Sequence, residues 1–262
     1  MVTGASVSRL FLFPIKSCAG VEVAEFAVGP LGPVGDRRWM LVDRNGTFLS
    51  QRTLPAMALV RTALANGVLT LEAPGMAPLS LPFDANGSEE RLEVTIWNDS
   101  VTASPQGPEA DAWFSDALGV RCRLVGIAAG HSRKSVSFPD SAPFLITSTA
   151  SLDDLNGRLP SPVPMDRFRP NVVVTGLTPY TEDSWREIRI GAIRFPALYA
   201  CDRCSITTVD QRTAHRGTEP LRTLAGYRRR GRGVPFGMRA IHANTGTLQV
   251  GDPVTQGSER SP

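Results

Sequence analysis

The sequence predicts a mainly β protein of the α+β class, with an antiparallel N-terminal β domain packed on a β-barrel-like domain that carries a few short peripheral helices. Three observations predict it. Short apolar runs recur along most of the 262 residues, broken by turn pairs such as Asn45-Gly46 and Asn66-Gly67, whose tolerance of positive φ marks tight hairpins. Only three segments, all short, read as helices. The stretch Pro105 to Pro108 interrupts the pattern and separates a strand-rich first part from a mixed second part.

Taken in order, Trp39 to Val42 and Thr47 to Ser50 flank Asn45-Gly46, and Leu59 to Leu64 and Val68 to Leu71 flank Asn66-Gly67. Glu93 to Trp97 and Ser100 to Ala103 flank Asn98-Asp99. Each set reads as a hairpin. After the proline break, Glu109 to Leu118 reads as a helix with Ala112, Trp113 and Leu118 inward and Gly119 as its stop. Arg123 to Gly126 is a strand, and Gly130 to Phe138 a polar loop. A second helix is expected over Thr149 to Leu159, capped by Ser or Thr, with Leu152, Leu155 and Leu159 at helical spacing. Asn171 to Thr175 is a short buried strand, and Ile188, Ile190, Ile193 and Phe195 alternate around Gly191. Glu219 to Tyr227 makes a third helix. Met238 to His242 and Thr247 to Val250 close the chain across a turn at Asn244 to Gly246. The expected division is 1–107 and 108–258.

Composition narrows the function. Hydrophobic residues at 42% and charged residues at 20% fit a folded globular protein, and a net charge of +3 is too small for a general nucleic-acid binder. No run approaches the roughly 20 apolar residues that span a bilayer, and the first residues lack the features of a secretory signal. No nucleic-acid or membrane partner is expected. Four cysteines are too few and too uneven for a disulfide framework, which points to reduced thiols and a cytoplasmic setting. The basic run Arg228-Arg229-Arg230-Gly231-Arg232 reads as a solvated loop or as a docking surface for an anionic partner.

Cys201-Asp202-Arg203-Cys204 is the most informative local feature. Four readings stay open. Structural zinc needs four ligands, and the other cysteines are isolated. A redox dithiol sits at a helix start, whereas this pair lies between strand-like Ile193 to Ala200 and Ser205 to Val209. The two thiols are otherwise inert, or one of them is a metal-binding thiolate. Arg203, adjacent to Cys204, is expected to favour its ionised form. Basic groups for an anionic ligand occur at Lys16, at Arg37-Arg38 and at Arg167 and Arg169, and arginine forks match phosphate oxygens. His215 reads as an exposed histidine or as a proton donor.

Several stretches resemble the MOSC family, named for the C-terminal domain of molybdenum cofactor sulfurase. Within it they resemble the branch of the mitochondrial amidoxime-reducing components and their bacterial relatives. They are Pro14 to Cys18, Asp36 to Trp39, Pro143 to Ile146 with Ser148, Phe168 to Asn171, Glu182 to Trp185, Cys201 to Asp210 and Gly251 to Val254, in the family's order. The resemblance implies that Cys204 is the metal ligand and catalytic centre, coordinating molybdenum of a molybdenum-molybdopterin cofactor. It implies that Lys16, Ser17, Arg37, Arg169 and Asn171 hold the pterin and its phosphate, with Asp202, Arg203, Asp140, Ser141 and Ser148 in the same pocket and Cys201 structural. The implied reaction is two-electron reduction of N-hydroxylated compounds such as amidoximes, hydroxylamines and N-hydroxylated bases. A carrier or delivery role for the cofactor or for sulfur is the alternative. With no cysteine after Cys204, no iron-sulfur cluster is expected in this chain. Electrons are then expected from an external donor, a ferredoxin-like or small haem protein served by its own reductase.

Overall fold

A computed structural model describes residues 4–83, 90–127 and 142–256; the expected polar loop Gly130 to Phe138 lies outside them. The protein is mainly β, with three α-helices among the described residues: α1 (Pro108–Leu118), α2 (Thr149–Asn156) and α3 (Leu221–Arg228).

The largest sheet has six strands, in the order Ala197–Asp202, Pro235–Ile241, Phe144–Ser148, Val172–Thr175, Ser6–Leu12 and Val21–Val23. All neighbours are antiparallel except Phe144–Ser148 and Val172–Thr175, which run parallel. Its central strands are apolar on both faces because both faces are covered. Leu10, Leu12, Val172 and Val174 point into one core, shared with Ile188, Ile190, Ile193 and Phe195 and with Phe26, Val28 and Leu248 from two three-stranded sheets. That enclosure is the barrel-like unit. The alternate residues Phe11, Phe13, Val173 and Phe236 meet Leu155 of α2 and Leu224 of α3 on the other face, as the two-residue period of a strand requires. Sequence order and sheet membership do not coincide, since Ser6–Leu12 pairs with Val172–Thr175.

A four-stranded sheet of Trp39–Val42, Arg123–Ile127, Asp99–Pro105 and Leu92–Ile96 carries α1. Ile15, Trp39, Leu41, Leu124 and the α1 residues Trp113 and Phe114 share its core.

Local departures from the sequence reading have physical causes. The Asn66-Gly67 hairpin forms with both turn residues at positive φ. At Asn45-Gly46 the turn forms and the Asp43 carboxylate accepts the amides of Asn45 and Thr47, but the returning arm meets the first arm only in the bridge of Val42 with Phe48, while Thr47 bridges to Thr95. The third turn is one residue earlier than expected: Ile96 pairs with Asp99, leaving Trp97 and Asn98 in the turn. Trp97 adopts φ 58 there, an uncommon conformation for a bulky residue, and its ring meets Phe48 edge-on at 4.8 Å. In α1 the inward residues are Ala110, Trp113, Phe114 and Leu118, while Ala112 faces solvent. Helix α2 stops at Asn156, short of Leu159, and the Ser148 hydroxyl at its N-cap makes no capping bond. Ser205 to Val209 is not a strand; a single 3-10 turn, Ser205–Thr208, follows Cys204.

Between α2 and the 3-10 turn Thr181–Ser184, Glu182 is fully buried and its carboxyl accepts the Ser151 hydroxyl at 2.6 Å. Burial pushes this carboxyl above the usual range. The folded state therefore holds the proton more tightly than the unfolded chain. Its contribution to stability is full below the unfolded value and is lost as pH rises through the folded one. Glu182→Gln, which cannot ionise, is expected to lose less Tm than the wild type between about pH 5 and pH 8. Thermal melts at the two pH values check this; an equal or larger loss in the variant would contradict it.

Candidate functional site

One cleft lies where the loops of the four-stranded sheet meet the strand ends of the six-stranded sheet. The chain segments that build it are laced together by backbone hydrogen bonds. Lys16 N donates to Trp39 O at 2.8 Å, Arg37 N to Phe13 O at 2.7 Å, and Phe11 N to Asn171 O at 2.9 Å. These bonds bring the Lys16-Ser17 turn, Arg37 and the Arg169 to Asn171 segment to one place, and all of them line the cleft. Asp202, Arg203 and Cys204 line it from the end of the edge strand. Eight of the eleven residues expected from the sequence thus come together.

One described residue does not enter that set. Ser148 is fully buried at the start of α2, its hydroxyl without a hydrogen-bond partner, and it does not line the cleft. Asp140 and Ser141 lie outside the described residues. His215 is exposed and faces a separate depression with Asp210, Thr213 and Glu219.

The backbone at the cleft is unusual. Ser17, Arg37 and Arg169 have φ of 67°, 47° and 55°, a region that costs a non-glycine residue of order 1 kcal/mol or more and clusters at ligand sites. Their side chains are fixed in turn. Arg37 pairs with Asp36, whose other oxygen accepts Phe13 N at 2.8 Å. Asn171 Oδ1 accepts Leu145 N at 3.2 Å and Arg37 Nη1 at 3.3 Å, while its Nδ2 donates to Phe11 O. The guanidinium groups of Arg37 and Arg169 lie 5.2 and 4.2 Å from the Phe13 ring centroid, favourable cation–π positions. Arg169 also donates to Cys18 O.

Electrostatically the cleft is lopsided. Among the described residues, Lys16, Arg37, Arg52, Arg169, Arg203 and Arg239 line it, against one acid, Asp202. Lys16 and Arg169 are 6% and 8% exposed. Cations at that depth are costly unless an anion or hydrogen-bond acceptors compensate them, and Arg169 has one such acceptor in Cys18 O.

The four thiols divide sharply. Cys18 and Cys122 are buried and burial raises both, Cys18 to about 12; neither faces the cleft. Cys201 is 4% exposed and its sulfur accepts Arg203 Nη1 at 2.9 Å. Cys204 is only partly buried. The cation at its sulfur is not the adjacent Arg203 but Arg52, whose Nη2 lies 3.3 Å away. Arg203 lies just past the end of the strand Ala197–Asp202 and points elsewhere, to Cys201 and to Phe168 O at 2.7 Å. Arg52 and Arg239 were not legible as site residues. Nothing in the sequence near either one marks it, and both arrive only through the fold. The Asp202 side chain lies against Gly233 so closely that a Cβ there would displace it.

Cys201→Ser is expected to retain whatever Cys204 binds, since a hydroxyl can still accept from Arg203. Metal content of the purified variant checks this; its loss would move the ligand from Cys204 to Cys201.

The Arg228 to Arg232 run is partly consumed by the fold. Arg228 and Arg230 both pair with Asp183, at 2.6 and 2.8 Å, and Arg228 stacks on Tyr180 at 3.9 Å. Arg229 and Arg232 remain exposed. No helix is long and apolar enough to cross a membrane among the described residues.

Comparison with known proteins gives two family matches: residues 4–121 match the MOSC N-terminal beta barrel domain and residues 133–255 the MOSC domain. Mitochondrial amidoxime reducing component 2 of Rattus norvegicus is 36% identical over 95% of this chain and 82% of its own length. Mitochondrial amidoxime-reducing component 1 of Homo sapiens is 32% identical over 95% and 82%. Molybdenum cofactor sulfurase of Danio rerio is 32% identical over 92% of this chain, which covers 32% of that protein.

Proposed function

The chain belongs to the MOSC family, and from that premise we propose that it is a molybdenum-cofactor-dependent reductase of N-hydroxylated compounds. The observation that supports the reading is the meeting, in one basic cleft, of the Cys204 sulfur with Lys16, Arg37 and Arg169. The donor set fits the cofactor. A single partly exposed thiol offers a soft ligand for a redox metal. The buried cations around it match a pterin phosphate, with the planar arginine forks suited to bidentate contact. Cys18, Cys122 and Cys201 are buried, whereas Cys204 is only partly so, so the fit uses Cys204.

On this reading Lys16, Arg37 and Arg169 neutralise the phosphate, and Ser17 and Asn171 supply neutral hydrogen-bonding groups beside them. Asn171 also holds the Arg37 fork in place through its Oδ1. Asp202 and Arg203 form the wall before the ligand, and Phe13 and Phe168 keep the guanidinium groups flat against apolar ground. When bound, the cofactor would supply the two-electron redox chemistry that removes an oxygen atom from nitrogen. The overall reaction takes two electrons and two protons and releases the amine or amidine and water. The electrons come from a separate donor protein, ferredoxin-like or a small haem protein, served by its own reductase. Exposed Arg229 and Arg232 offer such an acidic donor less charge than the sequence suggested.

The test is turnover. Protein loaded with cofactor is reduced by an artificial donor and offered an amidoxime and a hydroxylamine. Formation of amidine and amine supports the proposal. Full molybdenum load without turnover would overturn it in favour of a carrier of the cofactor.

A further inference from the structure

The chain places one arginine where the resemblance puts no role. Arg52 follows Gln51 in the turn after Thr47 to Ser50, more than 150 residues before Cys204 in the sequence. Its backbone is clamped from three sides. Gln51 is fully buried, and its amide donates to Ser17 O at 2.7 Å and to Gln211 Oε1 at 3.2 Å. Gln211 returns a bond to Gln51 Oε1 at 3.0 Å. Arg216 donates to the carbonyl oxygens of Gln51, at 2.8 Å, and of Arg52. The clamp ties the cofactor-side turn at Ser17 to the loop that follows Cys204.

None of these bonds uses the Arg52 side chain, which is free to do something else. Its guanidinium lies 4.4 Å over the exposed indole of Trp97 and sends Nη2 to the Cys204 sulfur at 3.3 Å. Trp97 is set at the tip of its hairpin in a left-handed conformation and braced edge-on by Phe48. A bulky residue held in an uncommon conformation, exposed, and stacked on a cation aimed at a thiol is a costly arrangement to maintain for surface packing alone.

We infer that Arg52, held by the Gln51–Gln211 clamp and its Trp97 platform, is a positioning residue whose N–H···S bond tunes the Cys204-bound metal toward reduction. This rests on the proposed molybdenum chemistry and deepens it. A charge-assisted hydrogen bond draws electron density from a ligating sulfur. It stabilises the more electron-rich, reduced state, so hydrogen bonds to ligand sulfurs raise the reduction potential. Arginine suits the task because one planar group stacks on the indole and donates edgewise at once. Lysine, a compact ammonium, cannot do both.

The experiment is a redox titration of cofactor-loaded wild type, Arg52→Gln, Arg52→Lys and Trp97→Leu, followed by the paramagnetic signal of the one-electron-reduced metal. Melting curves accompany each protein. Arg52→Gln is expected to keep its fold and its molybdenum, because the clamp and the phosphate-side cations are untouched. Its reduced-to-oxidised ratio at fixed potential should fall about tenfold, equivalent to roughly 59 mV for a one-electron step. Arg52→Lys should recover part of that loss, Trp97→Leu should show part of it, and kcat should fall in Arg52→Gln with KM little changed. An unchanged potential in folded, fully loaded Arg52→Gln would overturn the inference and leave the proposed function standing. Loss of molybdenum from the folded variant would overturn it too, by making Arg52 an anchor. Wild type without molybdenum would remove the reading on which both depend.

Discussion

Cys204→Ser is expected to abolish turnover, by about a thousandfold or more, which is roughly 4 kcal/mol of barrier, while leaving the fold unchanged. The two effects separate because of where the residue sits. Cys204 is only partly buried. Its sulfur accepts one charged donor, from Arg52, and a hydroxyl can accept the same bond. No core contact is lost, so the melting temperature should stay within a few degrees. A serine oxygen, however, is a hard and weakly acidic ligand, where a thiolate suits a soft redox metal. Spectra of the loaded variant should lack the metal–thiolate absorption, and steady-state assays with an N-hydroxylated substrate measure the loss. Residual activity within tenfold of wild type would contradict the assignment of the ligand.

The second large effect is expected at the anion-binding end. Arg37→Gln combined with Arg169→Gln removes two of the guanidinium groups that converge on the cleft. Hydrogen bonds to charged groups contribute about 1.5–3 kcal/mol each. The pair should therefore weaken cofactor retention by roughly 10²- to 10⁴-fold. Glutamine rather than alanine is chosen at position 37 because Asp36 is 3% exposed and paired with Arg37. Losing Arg37 without replacement would leave only the Phe13 amide on that buried carboxylate and would weaken the loop for a reason unrelated to the cofactor. Molybdenum and pterin content after gel filtration checks the prediction. Retention equal to wild type would mean that these cations serve the fold and not a ligand.

How far the sequence went depends on the distance over which each feature is decided. Features set locally were legible. The continuous apolar run within Asn171 to Thr175 signalled a short buried strand, and Val172, Val173 and Val174 are buried in two cores. Asn66-Gly67 made its hairpin, and Gly119 ended α1 in the left-handed region. The order of motifs also brought Lys16, Arg37, Arg169 and Cys204 into one set, which the cleft unites.

Features set by partners far along the chain were not legible. The third hairpin slipped by one residue because the Arg52 and Phe48 contacts hold Trp97 in a turn position that Asn98 would ordinarily fill. Arg203 was assigned to Cys204 by adjacency, yet beyond the strand end it donates to Cys201 and to Phe168 O, and the strand before it shifts register between Ala200 and Asp202. Positive φ at Ser17, Arg37 and Arg169 has no signature in residue types that ordinarily avoid it. Ser148 matched a motif, but the strand end where it sits buries its hydroxyl away from the cleft.

The account is tested most directly by elemental analysis of the wild-type chain purified from a host that makes the molybdenum cofactor. It predicts molybdenum close to one atom per chain, accompanied by pterin phosphate and lost together with it on denaturation. Zinc in that preparation, or a folded protein holding neither molybdenum nor pterin, would contradict it.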